Sequence, residues 1–366
     1  MAEPLKNMYH PGYFKLISPV LESTIPEFDS SDFVSQIFSG DWEGLELKQR
    51  VRRIAYILDQ NVKGTRIERL DVLIRLSANF RSSGLRSQSF PLIFLADYIE
   101  QFGVDDFEKS MEAIEEVTKL VSCEFAVRPF LIRYPDKTMK QMTRWSGHPD
   151  ANVRRLSSEG CRPRLPWGMG VPWLKVDPSS IIPILTNLKS DSSEYVRRSV
   201  ANNFHDIAKD HPDLVLKLFK LWSGQDEKTD WIIRHASRTL TKRGDQSALS
   251  LQGVSVSSKC RVDKFRWTRV VDAPAPLEFS FNFSSLSKTG TKFRIDYSVD
   301  YLTSTGKIST KIFRILERKF SKNELVLIRK KLSFKDLTTR KHFPGKHTIT
   351  ILVNGRKARE GKFDVI

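Results

Sequence analysis

Cysteine is scarce: Cys123, Cys161 and Cys260 are the only three in 366 residues. They lie far apart and form no CxxC pair, which argues against a disulfide framework, a cysteine-based zinc site and a CxxC redox motif. Long hydrophobic runs are missing as well. No stretch approaches the about 18 apolar residues of a membrane span, so no such span is expected. The opening residues, MAEPLKNMYHPGYF, lack the basic-then-apolar order of a secretory signal, and the expected address is the cytoplasm. There is no glycine-rich phosphate loop and no cluster of metal ligands, so the expected chemistry uses neither cofactor nor metal. The rest of the composition is ample for folding: 40% hydrophobic and 28% charged residues suit a globular chain, long enough for two domains that each bury a core.

Acidic residues thin out toward the C-terminus. Residues 258–366 hold 25 Lys and Arg against 10 Asp and Glu, an excess of +15 within a total of +17. Residues 121–257 carry +7 and residues 1–120 carry −5. A small soluble domain usually carries about 2 to 8 charges. The concentration of positive charge is the footprint of a polyanion binder, because neutralising phosphates releases counterions.

The central region repeats itself. NVRRLSSEG around Val153, YVRRSVANN around Val196 and WIIRHASRT around Ile233 align with spacings of 43 and 37 residues. Such spacings fit HEAT-like helix pairs. IIPILTNL and LVLKLFKLW between them carry apolar residues at helical spacing, while HPDAN, SDSSEY and HPDLV supply polar starts. VRRIAYIL at Val51 reads as a related helix. In the HPD starts, His148 and His211 read as turn residues. Stacked repeats align equivalent positions along one surface, so Arg155 matches Arg198 and His235, and Arg198, Asn202 and Asp206 are expected to form one stripe. The same residues also read as a solvated helix face with intrahelical pairs worth about 0.2–0.5 kcal/mol.

From about residue 259 the period changes to alternation. Leu277, Phe279, Phe281 and Phe283 fall on one side of LEFSFNF, and Phe293, Ile295, Tyr297, Val299 and Tyr301 on one side of FRIDYSVDY. KIFRIL, ELVLIRKKLSF, HTITILV and KFDVI read as further strands, with Asn354-Gly355 as a hairpin turn. The fold expected is mainly α: a HEAT-like helical-repeat solenoid over residues 1–245, a polar linker over 246–258, and a small all-β immunoglobulin-like sandwich over 259–366. Within the sandwich, TTRKHFPGKH (338–347) places Arg340, Lys341, His342, Lys346 and His347 around a turn suited to a DNA backbone or narrow groove.

One stretch stands apart, RRLSSEGCRPRLPWG at 154–168. Arg155 and Glu159 are four apart on one helical face, Gly160 is placed to cap that helix, and Pro163 and Pro166 stiffen the chain beyond the cap. A rigid loop then presents Trp167 beside a carboxylate. The plainer reading is a helix stop with Trp167 covering the core, and Glu124 paired with Arg128 four residues on.

Together with CEFAVRPFL at Cys123, VRRSVANNFHDIAKDHPD at Val196 and WIIRHASRTLTKRGD at Trp231, this stretch resembles the AlkC family of DNA alkylation-repair glycosylases. The similarity runs through the helical region and is compatible with the version of the family that bears an immunoglobulin-like C-terminal domain. The resemblance implies HEAT-like repeats cradling double-stranded DNA and hydrolytic excision of cationic N3-alkylated bases such as 3-methyladenine and 3-methylcytosine. It also implies that the base is not extruded into a pocket, unlike the general glycosylase rule. By resemblance, Glu124, Glu159 and Asp206 lie at the lesion, with Glu159 and Asp206 stabilising an oxocarbenium-like sugar and activating water and Glu124 supporting them. Trp167 would pack on the sugar or cationic base, Arg155 and Arg198 would clamp phosphates, and Arg128, Arg162 and Arg164 would contact DNA as well. Nothing requires more than a monomer. A helical-repeat protein that binds nucleic acid without chemistry, and a scaffold for an acidic protein, remain the alternatives at this point. Base release from alkylated DNA is expected to persist in excess chelator; recovery only on addition of a divalent ion would overturn the metal-free expectation.

Overall fold

The computed structural model describes residues 3–84, 89–255, 257–336 and 341–366. The chain forms two compact units, Met1–Asp210 and His211–Ile366. The first is helical: α1 Pro11–Thr24, α2 Ser30–Phe38, α3 Leu47–Asn61, α4 Arg66–Ser82, α5 Ile93–Phe102, α6 Phe107–Thr118, α7 Arg128–Arg133, α8 Pro135–Trp145, α9 Ala151–Glu159, α10 Pro172–Val176, α11 Ile182–Leu188 and α12 Glu194–Ile207. Their starts follow from local chemistry. Asp29 accepts from the amides of Ser31 and Asp32 at 2.9 Å to open α2, Thr65 and Glu68 form a capping box on α4, and Asp150 accepts from the Asn152 amide at 2.7 Å to open α9. Proline occupies the first turn of α7, α8, α10 and α11, where its missing N–H costs nothing.

Helices α9 and α12 carry the first two matched strings and pack against one another. Their apolar residues Val153, Leu156, Val196, Val200 and Phe204 are buried. Gly160 caps α9 as expected, but not as a left-handed cap: its φ is −62° and its ψ −31°. The reason for glycine there is close packing. An added Cβ would lie 2.6 Å from Val127 Cγ1 and 2.8 Å from Met142 Cε.

The second unit contains α13 Pro212–Trp222, α14 Glu227–Ala236, α15 Arg238–Lys242 and α16 Gln246–Leu251, and then the strands. The third matched string lies in α14, where half-buried Trp231 stacks on His235 at 5.1 Å. The segment expected as a linker is partly helical, because Asp245 accepts from the Ala248 amide at 2.8 Å and starts α16. The unit boundary also falls earlier than that segment, between α12 and α13.

The strands are β1 Cys260–Trp267, β2 Val270–Val271, β3 Leu277–Ser285, β4 Thr291–Leu302, β5 Ile308–Phe320, β6 Leu325–Leu332, β7 Gly345–Val353 and β8 Arg356–Val365. They form two sheets, β1-β3-β6 and β2-β8-β7-β4-β5. Leu277, Phe279, Phe281 and Phe283 of β3 and Phe293, Ile295, Val299 and Ile349 of the other sheet share one core. Asn354 and Gly355 turn β7 into β8 with φ of +49° and +75°, as a two-residue hairpin requires. Strand β4 departs from simple alternation: Arg294, Asp296 and Ser298 on its second face are also buried. Arg294 Nε bonds Asp296 Oδ2 at 2.7 Å, so an ion pair rather than a hydrocarbon fills that side.

Gly160→Ala is expected to destabilise the protein by about 1–3 kcal/mol through overpacking. Denaturant unfolding measures it; an unchanged midpoint would show that Val127 and Met142 yield freely.

Candidate active site

The interface of α9 and α12 holds a chain of charges. Glu159 closes the last turn of α9, and its Oε2 accepts from Ser199 Oγ of α12 at 2.6 Å. Arg162, three residues on, donates from Nη1 to Glu159 Oε1 at 2.6 Å and from Nε to Asp206 Oδ2 at 2.9 Å. Lys209 approaches the other Asp206 oxygen at 3.1 Å. Arg155 sits on the opposite flank, one helical turn before Glu159 and 3.5 Å from its Oε1, and also pairs with Glu124 and donates to Ser122 Oγ at 2.7 Å. Its guanidinium lies over the Tyr195 ring at 4.9 Å, a contact worth about 0.5–2 kcal/mol. Burial works against the Arg155 and Arg162 charges, but the facing carboxylates outweigh it and hold both above the ordinary arginine pKa. The three carboxylates are thus one electrostatic unit, carried by α9, α12 and the segment before α7.

Their accessibility runs opposite to the expected ranking. The Glu124 side chain is 18% exposed, Glu159 7% and Asp206 2%. Asp206 lies at the bottom of the cluster. The expected stripe on α12 also divides: Arg198 is exposed and pairs with Glu194 at 2.8 Å, Asn202 is half-buried and Asp206 is buried. The row that meets α9 is instead Ser199, Asn203 and Asp206, with Asn203 Nδ2 donating to the Ser158 carbonyl at 2.7 Å. Small polar residues four apart, beside the buried Val196, Val200 and Phe204, were the available signal for Ser199 and Asn203.

The loop after α9 is pinned from within. Arg128 is 1% exposed and donates to the carbonyls of Met169, Gly160 and Arg162, each at 2.8 Å. Burial lowers its pKa to about 10, so it remains a cation at neutral pH. Its expected DNA contact is corrected here: a guanidinium bound to three carbonyls beneath the surface is a clasp for the loop. Nor does it pair with Glu124, whose partner is Arg155. Between the clasped ends, Trp167 stands 68% exposed with φ of +62°, a left-handed conformation uncommon for a bulky side chain. Lys48 of α3 donates to its carbonyl. Trp167 therefore does not cover the core.

Trp167, Glu124, Arg155 and Tyr195 share the wall of a cavity of about 690 Å³. Arg162, expected on DNA, is 8% exposed and bound to the two carboxylates. Arg164 is more accessible but is held by Asp210 at 2.7 Å. In the sandwich, Lys341 and Lys346 are exposed, Arg340 lies outside the described residues, and His347 is buried against Phe363 at 5.4 Å rather than displayed. Among the described residues, no group of three or more His, Cys, Asp or Glu is arranged to hold a metal ion, and no helix is long and apolar enough to cross a membrane.

Arg128→Met should speed amide exchange across 160–170, since it leaves buried carbonyls unsatisfied at about 1–3 kcal/mol each. The salt dependence of DNA binding should stay unchanged; a slope shallower by about one unit would restore Arg128 to phosphate binding.

Known proteins resemble the chain along nearly its whole length. Residues 261–366 match the C-terminal Ig-like domain of the uncharacterised protein YhaZ. The chain is 40% identical over 353 residues to the YhaZ protein of Bacillus subtilis strain 168, covering 96% of both chains. It is 34% identical to Pseudomonas fluorescens AlkC, an alkylpurine DNA glycosylase solved bound to DNA containing an abasic-site analogue, with a TM-score of 0.87 and full coverage of both chains. With its helical region, its immunoglobulin-like C-terminal domain and these two relatives along nearly its whole length, the chain belongs to the AlkC family of DNA alkylation-repair glycosylases.

Proposed function

We propose that this protein is a DNA glycosylase that hydrolyses the N-glycosidic bond of cationic N3-alkylated bases, 3-methyladenine and 3-methylcytosine, in duplex DNA, initiating base excision repair without extruding the base. The observation that carries this reading is the linked carboxylate set of Glu124, Glu159 and Asp206 beside an exposed, conformationally constrained Trp167. A phosphate-binding surface alone gains nothing from carboxylates, which repel the backbone.

The chemistry asks little of a general acid. An N3-alkylated base already carries positive charge, so it departs with the glycosidic electron pair as a neutral molecule. The sugar becomes oxocarbenium-like and water adds to C1′, losing a proton to a carboxylate. Glu124 and Glu159, the more accessible members, face that cation and water; Asp206 contributes its charge from below and fixes Arg162. Trp167 packs on the exposed sugar and damaged base. The Arg155 guanidinium, engaged by two carboxylates and a ring, orients Glu124 and Glu159 rather than gripping phosphate. Grip falls to the basic sandwich, with Lys341 and Lys346 among its exposed cations.

A second reading, a non-catalytic DNA binder, draws on one observation: each of the three carboxylates is already ion-paired. Incubation of alkylated duplex DNA with the protein, with chromatographic detection of free base, separates the two. Release of modified base supports the enzyme; equal binding of damaged and undamaged DNA with no release supports the binder. Glu159→Gln is expected to lower single-turnover excision about 100-fold or more while changing DNA affinity far less, because stabilisation of the sugar cation is realised in the transition state. Equal losses in rate and affinity would remove Glu159 from the chemistry. Lys341→Ala and Lys346→Ala should each reduce the salt slope of binding by about one, with excision at saturating protein unchanged.

A further inference from the structure

The cavity beside the carboxylates is larger than those groups require. Its volume of about 690 Å³ falls within the roughly 300–1,000 Å³ range of small-molecule sites. It extends away from Glu124 and Arg155 to α3, which supplies Leu47, Lys48, Val51 and Arg52, and to α5, which supplies Ile93, Ala96, Asp97 and Glu100. Its lining has two characters. Phe90, Phe125, Trp167 and Tyr195 offer aromatic surfaces, and Phe90 is 50% exposed with no core role to explain it. Asp97 and Glu100 offer carboxyl groups on successive turns of α5. Lys48 reinforces the mouth, lying over the Phe125 ring at 5.0 Å while bonding the Trp167 carbonyl.

We propose that this cavity is a binding site for a free planar nitrogen heterocycle of nucleobase size, and that it receives the methylated base once the glycosidic bond has broken. The inference rests on the glycosylase reading, because it takes its ligand from that reaction. Aromatic faces suit any base through stacking, while carboxyl groups beside them suit the polar edge of a purine or pyrimidine. Burial raises the pKa of Asp97 against the pull of Arg52 and Lys48, and burial together with Asp97 raises that of Glu100. The carboxyl oxygens accept from the exocyclic amino group of such a ring. Continuity with Glu124, Arg155 and Trp167 gives the ligand a path from the reaction centre. The site differs from an extrusion pocket: it takes the base after cleavage, when no sugar tethers it, so it is compatible with a lesion that stays in the duplex during the chemistry.

Free 3-methyladenine titrated into the full chain, monitored by saturation-transfer NMR and by inhibition of single-turnover excision, tests the proposal. Binding with matching inhibition is expected. Phe90→Ala, at an exposed aromatic outside the reacting groups, should weaken both about tenfold while the uninhibited excision rate stays within about twofold. Ala96→Trp, if folded by circular dichroism, should fill the cavity and abolish binding; Phe90→Ala keeps the test decisive if it does not fold. Absence of binding at millimolar 3-methyladenine, or binding indifferent to Phe90→Ala, overturns the site. Binding that persists in a wild-type preparation unable to release any base upholds the heterocycle site and overturns the glycosylase reading, so the two failures are distinct.

Discussion

The arrangement turns on Arg162, one cation that joins two buried carboxylates across a helix interface. Glu159 and Asp206 belong to different helices, and each would incur a desolvation cost of several kcal/mol if left alone in the interior. Replacing the trio with hydrocarbon would fill the interface at least as well, so the charges are poor candidates for stability alone. Their presence has a consequence for geometry. Arg162 presents its donors in a fixed fork, so two carboxylates 47 residues apart in the chain are held in one relation.

A second arginine solves the neighbouring problem. The segment from Gly160 to Met169 has no regular ladder to satisfy its carbonyls, and Arg128 takes three of them. That clasp makes room for an otherwise costly feature, a tryptophan with positive φ standing clear of the core. Gly160 belongs to the same solution, since a methyl group there would push α9 away from Val127 and Met142 and carry Glu159 with it. Backbone strain, a buried cation and a packing glycine converge on one short loop.

The second unit obeys similar rules on a sheet. Asn354 accepts the Arg294 amide at 2.9 Å and donates to the Ser255 carbonyl at 2.8 Å, tying the hairpin turn to the segment after α16. Gly355 permits a second close approach, to the turn before α16: an added Cβ would lie 2.5 Å from the Gly244 carbonyl. The stretch that composition marks as a linker is therefore docked on the sandwich by a turn whose own sequence announces it. Lys341 and Lys346 stay exposed outside this framework, whereas Arg294 is buried within it and Lys292 bonds the Gln252 carbonyl at 3.0 Å.

Periodicity by itself determined the class of each half, because apolar spacing dictates which face can be buried. Val153, Leu156, Val196 and Val200 were legible as helix core, and Leu277 through Phe283 as one face of a strand. Asn354-Gly355 was legible because few residues tolerate two successive positive φ values. The motif strings brought Glu124, Glu159, Asp206 and Trp167 forward, and tertiary structure placed the three carboxylates in one cluster and Trp167 on a cavity wall shared with Glu124. The partners of the arginines were decided only by folding. Arg128, Arg155, Arg162 and Arg198 look alike in a sequence, yet one clasps a loop, one spans two carboxylates, one bridges two helices and one is solvated. A guanidinium has no intrinsic address; burial and the nearest unsatisfied oxygen assign its role, and both arise from residues distant in the chain.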